Sequence, residues 1–491
     1  MRKILILTLL LFAIGAHAQT LDPAAVDRAA NATLQQWRVP GLAIAIVRDD
    51  HVVYAKGFGV LEIEKSDLVT ADTLFELGST TKAFTSTSLA ILAGEKKLDW
   101  DDPIRKHIAW FRLSDPCADS LVTIRDIVTH RTGLATRDEL WDNARFTRDE
   151  MLHAVAEIPL SKPIRARYQY SNIMFTLAGE VVASASGMPW EEFIRTRIFA
   201  PLGMTESRIT AAEWSNVKHA QGYDYDREHD APKPHPFNDY ATIAPAGTIK
   251  TTARDMAQWL RMQLAGGTID GKRIVDADAL LETKSPQVAL SLSTPNNPES
   301  NVITYGMGWT VQDYRGTLLV SHSGALNGYR TQVALLPKLN AGIVVLTNIG
   351  RGNAPLALRN AVLDLLTASP STRDWNAYYL ELDRKSDAKG KAAIAAREAQ
   401  RKPNTTPSHE LAAYVGTYTN RGYGDVAITR TADALALQWG HAVLPMTHWH
   451  YDTFDAKSDA EELDELVPFG MNAEGNIDSL TLFGERFTRK P

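Results

Sequence analysis

The chain is predicted to be an α/β protein: an antiparallel strand series with helices inserted into it, followed by a small β domain of barrel type. Three observations carry this. Strand-like runs sit near Leu42 and again between Met307 and Thr347, while residues from about 100 to 240 are mostly helical in pattern, as in a domain closed by its own termini. A polar stretch from Ser371 to Pro407 then interrupts the pattern. Beyond it, short alternating runs such as Tyr414 to Tyr418, Val426 to Thr429 and Leu435 to Trp439 are separated by Gly-containing turns at barrel-like spacing.

In chain order, residues 1–18 read as a secretory signal, with Arg2 and Lys3, an apolar run from Ile4 to Ile14, and Ala16-His17-Ala18 ahead of Gln19. The run is too short to span a bilayer and no cysteine follows the cleavage site to carry a lipid. A periplasmic or secreted protein without a stable membrane anchor is therefore expected. Leu42 to Val47 and Val52 to Phe58, joined through Arg48-Asp49-Asp50, form a β-hairpin. A helix with an apolar face begins near Ser79, and turn signals at Asp101-Asp102-Pro103, Thr132-Gly133 and Pro201-Leu202-Gly203 divide the helical region. Met307 to Val311, Thr317 to Ser321, Tyr329 to Leu336 and Ile343 to Thr347 make the late strands, followed by a helix from about Ala354 to Leu366. The expected division is a leader at 1–18, an α/β domain at 25–368, a connector at 369–407 with a helical stretch around Asp387 to Gln400, and a β domain at 408–491.

Composition excludes several functions. The net charge of −6 becomes −8 when the leader leaves with Arg2 and Lys3, and no clustered basic face is present for a nucleic acid. Cys117 is the sole cysteine, which rules out an intramolecular disulfide and a thiolate zinc cluster. His448 and His450 share a strand face without an evident third ligand, so no metal or other cofactor is expected. Neither Gly-x-Ser-x-Gly nor His-Glu-x-x-His occurs, which leaves α/β-hydrolase and zinc-peptidase chemistry unsupported.

The chemistry starts at Ser79-Thr80-Thr81-Lys82. A lysine in the first turn of a helix opposes the macrodipole, and a capping serine is better followed there by Glu or Gln. The misfit points to function. Residues three apart share a helix face, so the Lys82 amine reaches the Ser79 hydroxyl while the helix N-terminus stabilises an alkoxide. Ser79 also reads as an ordinary N-cap. The same spacing recurs at Ser215 with Lys218 and at Ser386 with Lys389, but only Ser79 leads into an apolar helix face, Ala83, Phe84 and Leu89 to Leu92. Tyr170-Ser171-Asn172 offers a proton shuttle and an amide, or else a surface turn of the kind that Tyr418-Thr419-Asn420 also matches. His322-Ser323-Gly324 follows the strand Leu318 to Val320. There His322 offers a donor or positive charge toward a substrate carboxylate, and Gly324 allows close approach of a peptide to the strand edge; the plain alternative is a satisfied strand-end histidine.

Taken together and in this order, the three motifs resemble the penicillin-recognising serine hydrolases related to class C β-lactamases. Thr129-His130-Arg131-Thr132-Gly133-Leu134, Pro201-Leu202-Gly203-Met204 and Pro245-Ala246-Gly247 support the likeness, which covers about residues 25 to 368. The resemblance implies a β-lactamase/transpeptidase-like domain, an antiparallel sheet flanked by helices with a helical subdomain. It also implies an acyl-enzyme on Ser79, proton exchange by Lys82 and Tyr170, and a substrate amide oriented by Asn172. His322 takes the third-motif basic position with Ser323 and Gly324, and the backbone N–H groups of Ser79 and Ala325 form the oxyanion hole. The C-terminal region resembles the lipocalin-like domain of D-stereospecific peptidases of that family. Class C enzymes carry Lys-Thr-Gly at the third motif, whereas this chain has no Lys-x-Gly and its His-x-Gly looks more like D,D-carboxypeptidases and D-aminopeptidases. The expectation is an exported serine hydrolase, a D-stereospecific peptidase or D,D-carboxypeptidase-like amidase, acting on a small peptide or ester substrate, cell-wall fragments among them. A carboxylesterase or weak β-lactamase, and a penicillin-binding sensor that does not turn over, stand as the alternatives.

Overall fold

The computed structural model describes residues 21–142, 146–292, 297–368, 373–431, 433–440, 442–458 and 463–491; the leader expected at 1–18 lies outside them. The first strand, β1 (Gly41–Arg48), is buried at every position but its last. Leu42, Ile44 and Ile46 join one apolar cluster and Ala43, Ala45 and Val47 another, so this strand has helices on both faces and reads as a continuous apolar run. It pairs with β2 (His51–Gly59) in the expected hairpin. The late strands are β3 (Val288–Ala289), β4 (Ile303–Tyr305), β5 (Thr310–Tyr314), β6 (Thr317–Leu326), β7 (Tyr329–Leu336) and β8 (Ala341–Thr347). They close an eight-stranded antiparallel sheet in the order β2-β1-β8-β7-β6-β5-β4-β3, with Leu42 opposite Thr347.

Helix α1 (Pro23–Gln36) and helix α5 (Asn353–Leu366) cover one face through Val26, Ala30, Leu358 and Val362. Helices α2 (Thr81–Gly94) and α4 (Ala253–Leu264) lie over the other, where Phe84 stacks on Trp259 at 3.7 Å between ring centres. Between α2 and α4 in sequence, α3 (Asn172–Ser186) belongs to the inserted helical region and packs on α2. The strand expected at Met307 to Val311 begins later, at Thr310, because Gly308 has φ +75 and passes so close to α2 that an added Cβ would sit 2.9 Å from the Lys82 carbonyl.

The C-terminal β domain is a closed eight-stranded antiparallel barrel, residues 416–489, in which each strand pairs with the next and Tyr418 of the first lies opposite Arg489 of the last. Strand Ala442–His450 shows why: alternate side chains are buried, and Leu444 and Met446 join Phe454, Val467 and Phe487 inside.

The connector is more ordered than its composition implies. A helix, α6 (Trp375–Gln400), runs through it, and its first half packs on α5. Trp375, Tyr379 and Asp383 recur every fourth residue on the buried side, while the remainder is polar and masks the stripe in any average over the segment. The Trp375 indole donates to Asp364 at 2.7 Å, and Asn360 donates to the Tyr379 hydroxyl at 3.0 Å. Trp375→Ala is therefore expected to lower unfolding free energy by about 3–5 kcal/mol, read from denaturant curves. A loss below about 1 kcal/mol would show that the first half of α6 is dispensable to the core.

Candidate active site

The chain entering α2 is shaped by close approach. Gly78 has φ +57, and an added Cβ there would lie 2.6 Å from the backbone nitrogen of Ala325 on β6. Gly324 is pressed against the opposite partner, with a virtual Cβ 2.0 Å from the Leu77 carbonyl oxygen. The two glycines thus let the turn Gly78–Thr80 dock on β6, which brings the backbone around Ser79 and the Ala325 N–H to neighbouring positions. Ser79 does not cap the helix. Its Oγ accepts a hydrogen bond from Lys82 Nζ at 3.1 Å, and the Tyr170 hydroxyl lies close beside it.

Lys82 is completely buried. Its three ammonium protons match three acceptors: Ser79 Oγ, Asn172 Oδ1 at 2.7 Å and the Ala246 carbonyl at 2.9 Å. The ammonium also lies 4.7 Å from the centre of the Tyr170 ring. Burial pushes the Lys82 pKa down to about 7, opposed by the negative charge of Asp138. The amine therefore gives up its charge far more readily than an exposed lysine and can take a proton. Tyr170 is held well above the ordinary phenol range, first by burial, so it enters the site as a neutral hydroxyl between Ser79 and solvent-excluded neighbours.

Tyr170-Ser171-Asn172 is the start of a helix and not a surface turn. Ser171 Oγ accepts from Met174 N–H as the N-cap of α3, its own N–H donates to His130 Nδ1 at 3.0 Å, and Asn172 is the first helical residue. With Oδ1 turned to Lys82, the Asn172 amide nitrogen donates to Asp138 Oδ1 at 3.0 Å. His130, Tyr168, Tyr170 and Tyr305 form an aromatic wall, and burial holds His130 well below the usual imidazole range.

His322 departs from the sequence expectation of a donor or cation. Its Nδ1 donates to the Ser323 carbonyl at 2.7 Å, which leaves Nε2 to accept from the Tyr305 hydroxyl at 3.0 Å. Burial, then the Lys82 charge, pushes its pKa down to about 4, so it is neutral at pH 7 with both nitrogens engaged. Ser323 and Ala325 point to the other face of β6 and line a cleft of about 410 Å³ with Arg330 and Asn353. Among the described residues, β6 from His322 onward is paired with β7 alone, because β5 ends its pairing at Ser321; an unpaired edge of this kind can receive an extended chain.

The structure thus joins Ser79 and Asn172 to Lys82 by hydrogen bonds, sets the Tyr170 ring beside the amine, and places His322, Ser323, Gly324 and Ala325 along the adjoining strand. It adds Asp138, Tyr305 and the Ala246 carbonyl, which motif reading missed. Pro245-Ala246-Gly247 stood out as a segment, but nothing in sequence spacing marks Asp138 or Tyr305. Among the described residues no group of three or more His, Cys, Asp or Glu could hold a metal. A larger cavity of about 820 Å³ opens at the barrel mouth near His409 and Phe454, away from Ser79.

Residues 26–368 match the beta-lactamase family model, and residues 400–490 match a domain of unknown function, DUF3471. The unguisins hydrolase ungD' of Aspergillus campestris is 29% identical over 412 residues, covering 81% of this chain and 76% of its own length. Protein flp of Staphylococcus aureus is 25% identical over 67% of this chain and 64% of its own. The octameric penicillin-binding protein homologue from Pyrococcus abyssi superposes with a TM-score of 0.63 at 22% identity, covering 96% of this chain and all of that one, a likeness of fold.

The docking of Gly78 on β6 is testable. Gly78→Ala is expected to cut turnover by at least about 100-fold, through displacement of the Ser79 backbone from the Ala325 N–H, as read by kcat with folding checked by circular dichroism. Wild-type kcat in a folded variant would show that the approach of Gly78 to Ala325 is not needed.

Proposed function

The chain belongs to the beta-lactamase family, and from that premise we propose that it is an exported serine hydrolase working through an acyl-enzyme on Ser79, with D-amino-acid peptides or related wall fragments as its substrates. The observation that carries this reading is the buried Lys82 amine. It is held at 3.1 Å from Ser79 Oγ with a pKa near 7, where it can accept the serine proton. Tyr170 relays that proton to the leaving group as a neutral hydroxyl. The N–H groups of Ser79 and Ala325 receive the oxyanion, and the Asn172 amide meets the substrate amide. An extended peptide lies along the free edge of β6, with Ser323 and Gly324 beneath it. A relative named a hydrolase of unguisins supports hydrolysis as the reaction class.

A carboxylesterase is the second reading, favoured by one observation: His322 carries no charge at pH 7 with which to hold a substrate carboxylate. Comparing kcat/KM for a D-Ala-D-Ala peptide and a short-chain aryl ester decides between them, and a ratio favouring the ester by more than about 100-fold rejects the peptidase. One equivalent of product followed by no turnover would identify a sensor instead.

Ser79→Ala and Lys82→Ala are each expected to remove nearly all turnover, and the double variant to be no worse than either, since the pair acts as one unit. Multiplying defects would dissolve the proton-transfer pair. Export is tested by the N-terminus of the mature protein, expected at Gln19; an intact Met1 in the periplasm or medium would reject cleavage at Ala18.

A further inference from the structure

The barrel touches the hydrolase domain at one consequential place. Arg137 precedes the short turn Asp138–Leu140, and both neighbours of Asp138 are held by barrel side chains. Arg137 pairs with Glu485 at 3.2 Å. Glu139 accepts from the hydroxyl of Tyr423 at 2.8 Å, and Tyr423 is 1% exposed. Further along the same loop Phe146 packs edge-on against Trp439 of the barrel at 6.0 Å between ring centres. Gly422 beside Tyr423 seats against Ile158, where an added Cβ would be 2.7 Å from Cγ1. The contact is therefore built from directional partners that are buried, as Tyr423 and Trp439 are, or half-buried, as Arg137, Glu139 and Glu485 are.

Between those two tethers, Asp138 Oδ1 receives the Asn172 amide at 3.0 Å and the Trp141 indole at 2.8 Å. Asn172 in turn holds Lys82 at 2.7 Å. We propose that the C-terminal barrel is part of the hydrolase site: it clamps residues 137–139 so that the Asp138 carboxylate stays on Asn172 and beside Lys82, making Asp138 a positioning residue of the acylation step. This rests on the Ser79 acyl-enzyme reading and extends it.

The groups facing Lys82 make the dependence specific. From α3 and the segment just before it come Asn172 and Tyr170; from the other side come His130, His322, Tyr168 and Tyr305. The tyrosines are held above the ordinary phenol range and the two histidines below the usual imidazole range, all chiefly by burial, so all six groups are neutral at pH 7. Asp138 is the charge that opposes the desolvation of Lys82. Removing or displacing it lowers the Lys82 pKa further and carries the acid limb of the pH–rate profile to lower pH, because the amine then sheds its proton earlier.

The test uses the full chain in four forms: wild type, Asp138→Asn, Glu139→Gln, and Tyr423→Phe combined with Glu485→Ala. Each is measured for kcat, KM, thermal midpoint and the pH dependence of Ser79 labelling by an uncharged fluorophosphonate. Asp138→Asn keeps an acceptor for Asn172 and deletes the charge, so its acid limb should move to lower pH. The barrel double variant should lose about tenfold in kcat with KM nearly unchanged and shift its limb the same way. Glu139→Gln, which preserves an acceptor for Tyr423, should stay near wild type. Barrel variants with wild-type kcat and an unshifted limb, even at a lower thermal midpoint, overturn the proposal, since a purely structural role moves only that midpoint. Failure to label Ser79 in the wild type would instead bring down the acyl-enzyme reading itself.

Discussion

The burial of the Lys82 ammonium among three oxygen acceptors is the constraint on which the rest of the site depends. A cation in an apolar interior is costly unless every proton finds an acceptor, and the cost is reduced when the group gives up its charge. The fold meets both conditions. Ala246 supplies a carbonyl from the segment beneath α2, Asn172 turns its oxygen inward at the head of α3, and Ser79 offers its hydroxyl. These acceptors come from three separated parts of the chain, so the lysine can be neutral and rigid only when the sheet, the inserted helical region and the α2 turn are assembled together.

That assembly explains the placement of the glycines. Gly78, Gly308 and Gly324 sit where backbone meets backbone at distances no Cβ could occupy, and together they draw α2 down onto β6 and the segment before β5. The sheet therefore does more than support the helix. It fixes the Ala325 N–H next to the turn that carries Ser79 and, among the described residues, leaves one edge of β6 without a strand partner beside it.

Much of this was legible in the sequence because it rests on local patterns. The hairpin, the late strands and the alternating barrel strands follow from side-chain periodicity. Lys82 betrays itself as a cation at the wrong end of a helix. What was illegible depends on burial and on long-range partners. The charge expected of His322 is absent because Tyr305 and the Ser323 carbonyl enclose it, a relation no spacing encodes. Asp138 is one aspartate in a loop until the fold sets it against Asn172. The apolar stripe of α6, carried by Trp375 and Tyr379, is diluted in a polar segment and reads as linker.

The most direct measurement of the central claim is the rate of acylation of Ser79 by an uncharged fluorophosphonate as a function of pH, with the labelled peptide identified by mass. With a buried lysine as base, the rate should rise through about pH 7 and then level, because the competent form is the neutral amine. A rate that climbs only near pH 10, as for an ordinary exposed lysine, or a label on any residue other than Ser79, would contradict it.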